Sequence, residues 1–330
     1  MHAPVFWDGV TTDGDPSQLS RAGSRPRSLN ITRCGPAAPI QSLIARFPFS
    51  SIELVIDDDA EKLDFSKIPI ESLLPLEILS LGNGNSNSPQ LSLGHHSFPN
   101  LAILYISRYI DSFSALVTSK TIEELRIFTP VPTSLCLDIL RSAKNLRVLG
   151  LIVDDAETVE DVVAPKLTRV ILSFEYGHSA GPLIIALTAP NLKELQMFAL
   201  TMTLNVISLA CDASSFLPKA GQFRMPNLET LSITATTRPV DIGTLLRSIP
   251  SLCKLSLGSE TILDEDAIQG LANGELGPHL RDITLYDRIS SSRRMNFYFV
   301  FRDCGNLELD GYERRISDLS QDGVIVQFFV

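Results

Sequence analysis

The segment Gly177-His178-Ser179-Ala180-Gly181 is the part of the sequence that most resembles a catalytic motif. It has the Gly-x-Ser-x-Gly spacing of a nucleophile elbow, in which a sharp turn between a strand and a helix exposes the serine hydroxyl beside backbone N–H donors. A strand-like pattern precedes it at 170–174, and an apolar segment follows it at 183–187. One hypothesis is therefore a serine esterase or related hydrolase that uses Ser179.

A serine hydrolase also needs a histidine as general base, and the histidine downstream of Ser179 is His279. His279 follows Pro278 in a short turn motif that recurs along the chain, with asparagine in the same slot at Asn100, Asn191 and Asn227. The repeat pattern therefore accounts for His279 without catalysis. We predict that the protein is not an enzyme.

Other groups with possible chemistry lack the spacing that the chemistry requires. His95 and His96 are adjacent, so on a strand their side chains would point to opposite faces. The run Asp57-Asp58-Asp59 lacks the glycine and terminal glutamate of a calcium loop. Gly82 and Gly84 do not belong to a phosphate-binding loop. We predict no catalytic residue, no metal and no cofactor.

A leucine-containing motif recurs along the chain and is clearest at 226–233, Pro-Asn-Leu-Glu-Thr-Leu-Ser-Ile. Its second apolar position recurs every 21 to 28 residues, with one interval of 36, at Leu29, Leu54, Leu79, Leu104, Leu125, Leu149, Val170, Leu195, Leu231, Leu255 and Ile283. This period is typical of leucine-rich repeats. The sequence predicts an α/β leucine-rich-repeat solenoid, with a curved parallel sheet on the concave side and helices and loops on the convex side.

We expect about eleven repeats over 25–288, an N-terminal cap or linker over 1–24 and a C-terminal cap over 289–330. Between some strands the apolar residues change to the helical spacing i, i+3, i+4, i+7. These segments contain Ile40, Leu43, Ile44 and Phe47; Cys136, Ile139, Leu140 and Ala143; and Ile242, Leu245, Leu246 and Ile249. A proline that stops the preceding segment stands before many strands, at Pro99, Pro165, Pro190, Pro226, Pro250 and Pro278.

Acidic residues follow some of the predicted strands, as at Asp57-Asp58-Asp59 and Asp264-Glu265-Asp266. Aspartate is a favoured residue at the N-cap of a helix, and these residues lie where helices should begin. Equivalent positions of a solenoid also stack along one rim, where they could steer a basic partner. Both interpretations stay open.

Within each predicted strand the leucines alternate with residues that should face the concave side. The candidate partner-binding residues on that side are Tyr105, Arg126, Phe128, Arg169, Gln196, Phe198, Lys254 and Tyr286. Mixed aromatic and polar residues on such a face commonly bind proteins. We therefore predict a protein partner on the concave face.

Composition narrows the choice of partner and compartment. The net charge of −10 argues against nucleic acid and anionic membranes, since both select for clustered lysine and arginine. The five cysteines lie far apart without a Cys-x-x-Cys pair, which favours a reduced, cytoplasmic or nuclear location. The N-terminal sequence lacks the pattern of a secretory signal, and the longest uncharged run, 195–211, fits the repeat register.

The repeated Pro-Asn-Leu-x-x-Leu-x-Ile form, together with Phe6-Trp7 and the run 19–26, resembles the fungal F-box proteins that carry degenerate leucine-rich repeats. In that family the F-box binds the Skp adaptor of a cullin-based ubiquitin ligase, and the repeats recruit the protein to be ubiquitinated. The resemblance implies that this chain is the substrate-recruiting part of such a receptor, with a Skp-type adaptor as partner only if an F-box lies upstream. A stand-alone repeat scaffold without a ligase link is the alternative.

Two departures from the family pattern give specific expectations. The segment Leu74-Pro75-Leu76-Glu77-Ile78-Leu79 matches the opening of an F-box but falls on the 25-residue repeat register, so we expect a repeat strand there. The third residue after the last leucine of the motif is not asparagine or cysteine, as Asp154 and Glu260 show. We therefore expect no orthodox asparagine ladder.

Overall fold

The structure is a computed structural model of the chain. It describes residues 9–12, 28–34, 37–56, 63–83, 98–107, 121–153, 160–174, 181–199, 224–233, 240–257, 261–262, 264–285, 299–300 and 325–327. The chain divides into two compact units. The first unit comprises Met1–Val131 and Leu135–Leu151, and the second comprises Pro132–Ser134 and Ile152–Val330.

The first unit is built around a parallel sheet whose strands follow one another in chain order. They are β1 (Gly9–Thr12), β2 (Ser28–Cys34), β3 (Ser51–Ile56), β4 (Ile78–Asn83), β5 (Ile103–Ile106), β6 (Glu124–Val131) and β7 (Val148–Val153), the last of which ends in the second unit. Each successive pair from β1 to β6 is parallel. The return segments contain α1 (Ala37–Arg46), a 3-10 helix (Phe65–Lys67), α2 (Ile70–Leu73) and α3 (Thr133–Ser142).

The second unit repeats the same plan. Its main parallel sheet runs in the order β9 (Arg169–Phe174), β11 (Glu194–Ala199), β12 (Thr230–Ile233), β14 (Lys254–Leu257), β16 (Asp282–Leu285) and β18 (Ile325–Gln327). Short parallel strands pair separately, β8 (Val162–Val163) with β10 (Leu187–Thr188), and β15 (Thr261–Ile262) with both β13 (Val240–Asp241) and β17 (Phe299–Val300). The helices are α4 (Gly181–Ala186), α5 (Ile242–Ser248) and α6 (Glu265–Ala272). The predicted α/β class is confirmed, and the arrangement is compatible with a solenoid-like α/β fold.

Alternate side chains of the main strands are buried, as the leucine pattern predicts. In β5, Leu104 and Ile106 are buried, whereas Ile103 and Tyr105 are half-buried. The predicted repeat leucines pair directly across neighbouring strands, Leu79 with Leu104 and Leu104 with Leu125 in the first unit, and Val170, Leu195, Leu231, Leu255 and Ile283 in the second. Each buried leucine contributes about 1.5–3 kcal/mol by removal of its side chain from water.

One predicted repeat position is wrong by two residues. Ile52, not Leu54, pairs with Leu29 on one side and with Leu79 on the other. A shift of two residues keeps a side chain on the same face of a strand, and both Ile52 and Leu54 are buried. The apolar pattern therefore could not separate the two registers.

A tight turn precedes several of the described strands and explains the prolines. The N–H of a buried leucine donates to the carbonyl three residues earlier, as from Leu101 to Phe98 at 3.3 Å and from Leu192 to Ala189 at 3.0 Å. Proline takes the second position of these turns at each of the six predicted sites, where its fixed φ is favourable. The predicted proline turns are confirmed.

Side-chain amides in these turns connect successive repeats. Nδ2 of Asn100, Asn191 and Asn227 donates to the carbonyls of Leu74, Pro165 and Pro190, at 2.7, 2.6 and 2.8 Å respectively. The conventional ladder position at Asp154 and Glu260 lies outside the described residues. The chain thus uses asparagine to join successive segments just before the strand, at a position where the sequence predicted only a turn.

The three predicted helical stripes lie on α1, α3 and α5 and the residues next to them, and most of their apolar residues are buried.

Asp264 caps α6, because its carboxylate accepts the N–H of Ala267 at 2.8 Å, which confirms the N-cap interpretation at this site. The run Asp57-Asp58-Asp59 lies outside the described residues.

The segment 74–79 forms a turn and the start of β4, as expected for a repeat strand. The predicted terminal caps contain β1 and β18, which extend the parallel sheets of their units.

Candidate functional site

The structure describes seven of the eight predicted partner-binding residues, and Tyr286 lies outside the described residues. In the first unit Tyr105 is on β5, and Arg126 and Phe128 are on β6. In the second unit Arg169 is on β9, Gln196 and Phe198 are on β11, and Lys254 is on β14. All seven alternate with buried residues, so they lie on the exposed face of their sheet.

In the first unit Tyr105 and Arg126 contact each other, and both contact Glu124. Tyr105 and Arg126 are cross-strand neighbours, and the guanidinium of Arg126 lies 5.3 Å from the centroid of the Tyr105 ring. Arg126 Nη2 is 2.7 Å from Glu124 Oε1, and Tyr105 Oη donates to the same oxygen at 2.8 Å. We call Tyr105, Glu124 and Arg126 the Tyr105 cluster. Glu124 is not among the residues predicted from the sequence to bind a partner.

The electrostatics of the cluster keep the tyrosine protonated. Burial raises the pKa of Tyr105 above its ordinary value, and the hydrogen bond to Glu124 and the charge of Glu124 raise that pKa further, whereas the charge of Arg126 lowers it. The phenol is therefore a hydrogen-bond donor at neutral pH. The cluster is held by one ion pair, one hydrogen bond and one cation–π contact.

A glycine on the next strand gives Arg126 its position. A methyl group at Gly150 on β7 would lie 3.1 Å from Arg126 Cγ and 3.4 Å from its Cβ. The aliphatic stem of Arg126 thus covers the backbone of Gly150, which is buried although its position in β7 belongs to the exposed face. The side chain is thereby packed on one side by Gly150 and on the other by Tyr105.

Phe128 follows Arg126 by two residues on the same face, and 52% of its surface is exposed. Tyrosine, phenylalanine and arginine are enriched at protein interfaces, and tyrosine and arginine are common among the residues that dominate binding energy. The Tyr105 cluster and Phe128 together therefore have the composition of an interface centre.

The same face continues towards β2 in one row of paired residues. The row is Asn30, Glu53, Ser80, Tyr105 and Arg126. Asn30 Nδ2 donates to Glu53 Oε2 at 2.7 Å, which holds the exposed carboxylate in place. Ser80 on β4 is the smallest residue of the row.

The corresponding face of the second unit is mainly polar, although it includes the half-buried side chains of Ile171 and Phe198, and some of its charges are paired. Arg169 Nε is 3.0 Å from Glu194 Oε2, and Gln196 donates to the other oxygen of Glu194. The neighbouring residues in register with Gln196 are Ser232, Ser256 and Thr284. Lys254 is exposed. Exposed ion pairs of this kind contribute about 0–1 kcal/mol, so they mainly order the surface.

The residues with possible chemistry give no site in the part of the chain that the structure describes. Ser179, the residue of the hydrolase hypothesis, lies outside it. His279 is exposed in the turn that the repeat pattern predicted, where the N–H of Leu280 donates to Gly277 at 2.8 Å. Burial raises the pKa of the Cys136 thiol to about 12, which makes this cysteine unreactive.

The described residues also bear on metal binding and on membrane insertion. No group of three or more histidine, cysteine, aspartate or glutamate side chains there could hold a metal ion. No described helix is long and apolar enough to cross a membrane. No family model and no curated protein matches the chain.

Proposed function

We propose that the protein is a non-enzymatic leucine-rich-repeat module that binds a protein partner on the exposed sheet face of its first unit. The observation that carries this proposal is the Tyr105 cluster beside the exposed side chain of Phe128. Four side chains with interface chemistry lie on two adjacent strands, and three of them are fixed by mutual contacts.

Pre-positioning matters because binding loses less side-chain entropy when the contact residues are already ordered. Arg126 is held by Gly150, Tyr105 and Glu124, so it does not need to be immobilised by the partner. Complete burial of a phenylalanine side chain is worth about 1.5–3 kcal/mol, of which roughly half remains available at Phe128. These properties support a stable contact rather than a merely solvated face.

The resemblance to fungal F-box proteins adds a more specific proposal. By that resemblance the partner would be a protein recruited for ubiquitination, and a Skp-type adaptor would bind to an F-box rather than to the repeats. The alternative proposal is a stand-alone repeat scaffold. The two proposals differ in whether ligase components accompany the partner.

The test is affinity capture from the source cell with the full chain as bait. An Arg126→Glu, Phe128→Ala double variant removes the proposed contact, and a Lys144→Glu, Ile185→Ala variant is the matched control at exposed residues outside the strands. We expect a partner that the wild type and the control retain and the Arg126, Phe128 variant loses. Equal capture by all three baits would refute the proposed face, provided that circular dichroism shows that each bait is folded. Co-capture of a Skp adaptor and cullin supports the ligase link, and their absence beside a captured partner favours the scaffold.

A further inference from the structure

The turn that follows α6 contains an asparagine directly before a glycine, Asn273 and Gly274, and both residues are exposed. A Cβ at position 274 would meet no atom of the described residues within 4 Å apart from its chain neighbours. Glycine after asparagine favours deamidation, because no side chain hinders attack by the glycine nitrogen on the asparagine side chain. The pair is therefore a candidate site of covalent modification.

Deamidation at this pair needs only water as a co-reactant. The main-chain nitrogen of Gly274 attacks Cγ of Asn273, a C–N bond forms, and the side-chain nitrogen leaves as ammonia with the proton of the Gly274 N–H. The product is a five-membered succinimide ring. Water then opens the ring at one of its two carbonyls, which gives aspartate or isoaspartate without oxidation or reduction.

The main-chain conformation of Asn273 keeps these two atoms apart. Ring closure requires Cβ of Asn273 and the nitrogen of Gly274 to be nearly eclipsed about the Cα–C bond, which corresponds to a ψ of roughly 120° in magnitude. In the structure Asn273 has φ −95° and ψ 1°. The Cα–C bond must therefore rotate by roughly 120° before the attack can occur.

Two hydrogen bonds oppose that rotation. The N–H of Gly274, which contains the attacking nitrogen, donates to the carbonyl of Leu271 at 3.2 Å. The N–H of Glu275 donates to Oδ1 of Asn273 at 3.1 Å, which holds the side-chain amide in place. We call residues 273–276 the α6 cap. The α6 cap must open before the succinimide can form.

Leu276 fastens the α6 cap to the helix. Its side chain is buried, and its N–H donates to the carbonyl of Gly270 at 2.8 Å. Its Cγ and Cδ1 lie so close to Gly270 that a Cβ there would be 2.8 Å from both atoms. Truncation of Leu276 should therefore open the α6 cap more often.

We infer that Asn273 is a site of spontaneous deamidation that the α6 cap keeps closed in the folded chain. The reaction proceeds from molecules with an open cap, so its rate follows the fraction of open molecules. The change is one-way and weakens the cap. Aspartate adds negative charge at the C-terminal end of α6, where the helix dipole disfavours it, and isoaspartate adds a carbon atom to the main chain. This inference does not depend on the proposed function.

The first test incubates the full chain in neutral buffer and in guanidinium chloride, and follows the peptide that contains Asn273 by mass spectrometry. Chromatography separates the aspartate and isoaspartate products. We expect deamidation of Asn273 to be at least roughly tenfold slower in the folded chain, because only the open fraction reacts. Equal rates in the two conditions overturn the closed cap, and an unmodified Asn273 in the unfolded chain overturns the site.

Variants then test whether the protection is local. Leu276→Ala should speed deamidation of the folded chain by roughly tenfold and leave the rate in guanidinium chloride unchanged. Leu73→Ala removes another buried leucine, in α2 of the first unit, and is the matched control that should leave the rate at Asn273 unchanged. If Leu276→Ala does not fold, Gly270→Ala takes its place, because its Cβ would displace Leu276. An unchanged rate in the folded α6 variant, or the same acceleration in Leu73→Ala, contradicts the inference.

Discussion

Replacement of Gly270 in α6 by alanine should destabilise the wild-type protein but stabilise a variant in which the side chain of Leu276 is shortened. Replacement of glycine by alanine inside a helix is normally favourable by about 0.8–1.0 kcal/mol. Here a Cβ at position 270 would lie 2.8 Å from both Cγ and Cδ1 of Leu276, which is closer than carbon atoms pack. The N–H of Leu276 donates to the carbonyl of Gly270 at 2.8 Å, so the two backbones are tied together. Overpacking costs about 1–3 kcal/mol, and we expect Gly270→Ala to lower the free energy of unfolding by about 1 kcal/mol.

The assay is urea denaturation followed by far-UV circular dichroism, in the wild-type background and in a Leu276→Ala background. In the second background the crowding atoms are gone, so the helix preference of alanine remains. Gly270→Ala should then raise the free energy of unfolding by up to about 1 kcal/mol relative to Leu276→Ala alone. The same sign in both backgrounds, or a stabilised single variant, would refute the packing described for α6.

Four further predictions concern pH dependence, the Tyr105 pKa, cysteine reactivity and helix capping. Because the pKa of Tyr105 is raised on folding, the free energy of unfolding should fall as the pH rises above about 10, the ordinary tyrosine pKa, and Tyr105→Phe should reduce that fall. Glu124→Gln should lower the Tyr105 pKa, measured as phenolate absorbance against Tyr105→Phe, and an unchanged pKa would contradict the hydrogen bond. Cys136, with its thiol pKa at about 12, should resist alkylation in the folded chain and react after unfolding, as measured by mass spectrometry, and rapid native labelling would show that it is accessible. Asp264→Ala should cost about 1 kcal/mol of stability in urea denaturation, whereas Asp266→Ala, outside the cap, should cost less than about 0.5 kcal/mol, and equal losses would contradict the capping role.

The parallel sheets could be predicted because their determinants are local and repeat. Leucines with a period of two specify the buried face of each strand, and proline marks the turn before it. The exact register between strands was harder to predict from the sequence, because Ile52 and Leu54 are two residues apart and equally apolar. Strand β1 was missed because Gly9–Thr12 contains a single apolar residue and so carries no alternating pattern.

The candidate site could be predicted in part. Alternation placed Tyr105 and Arg126 on one face, but their contact depends on register and on side-chain direction, which one sequence does not specify. Glu124 was overlooked because it is the first residue of β6, although its spacing of two from Arg126 already put it on the same face. The role of Gly150 could not be seen at all, because it depends on the neighbouring strand.

The exposed sheet faces of the two units differ in the side chains that a partner could contact. This difference predicts which substitutions should weaken binding most. In the second unit the face presents the polar row Gln196, Ser232, Ser256 and Thr284 beside the half-buried side chains of Ile171 and Phe198. Hydrogen bonds from the polar row to a partner would replace hydrogen bonds to water for a net gain of about 0.5–1.5 kcal/mol each. In the first unit, the half-exposed side chain of Phe128 offers apolar area that gains energy by leaving water. Residues that cost about 2 kcal/mol or more on truncation are typically aromatic or arginine side chains at the centre of an interface. We therefore expect truncation of Arg126 or Phe128 in the first unit to weaken partner binding more than truncation of any of these four polar residues in the second unit.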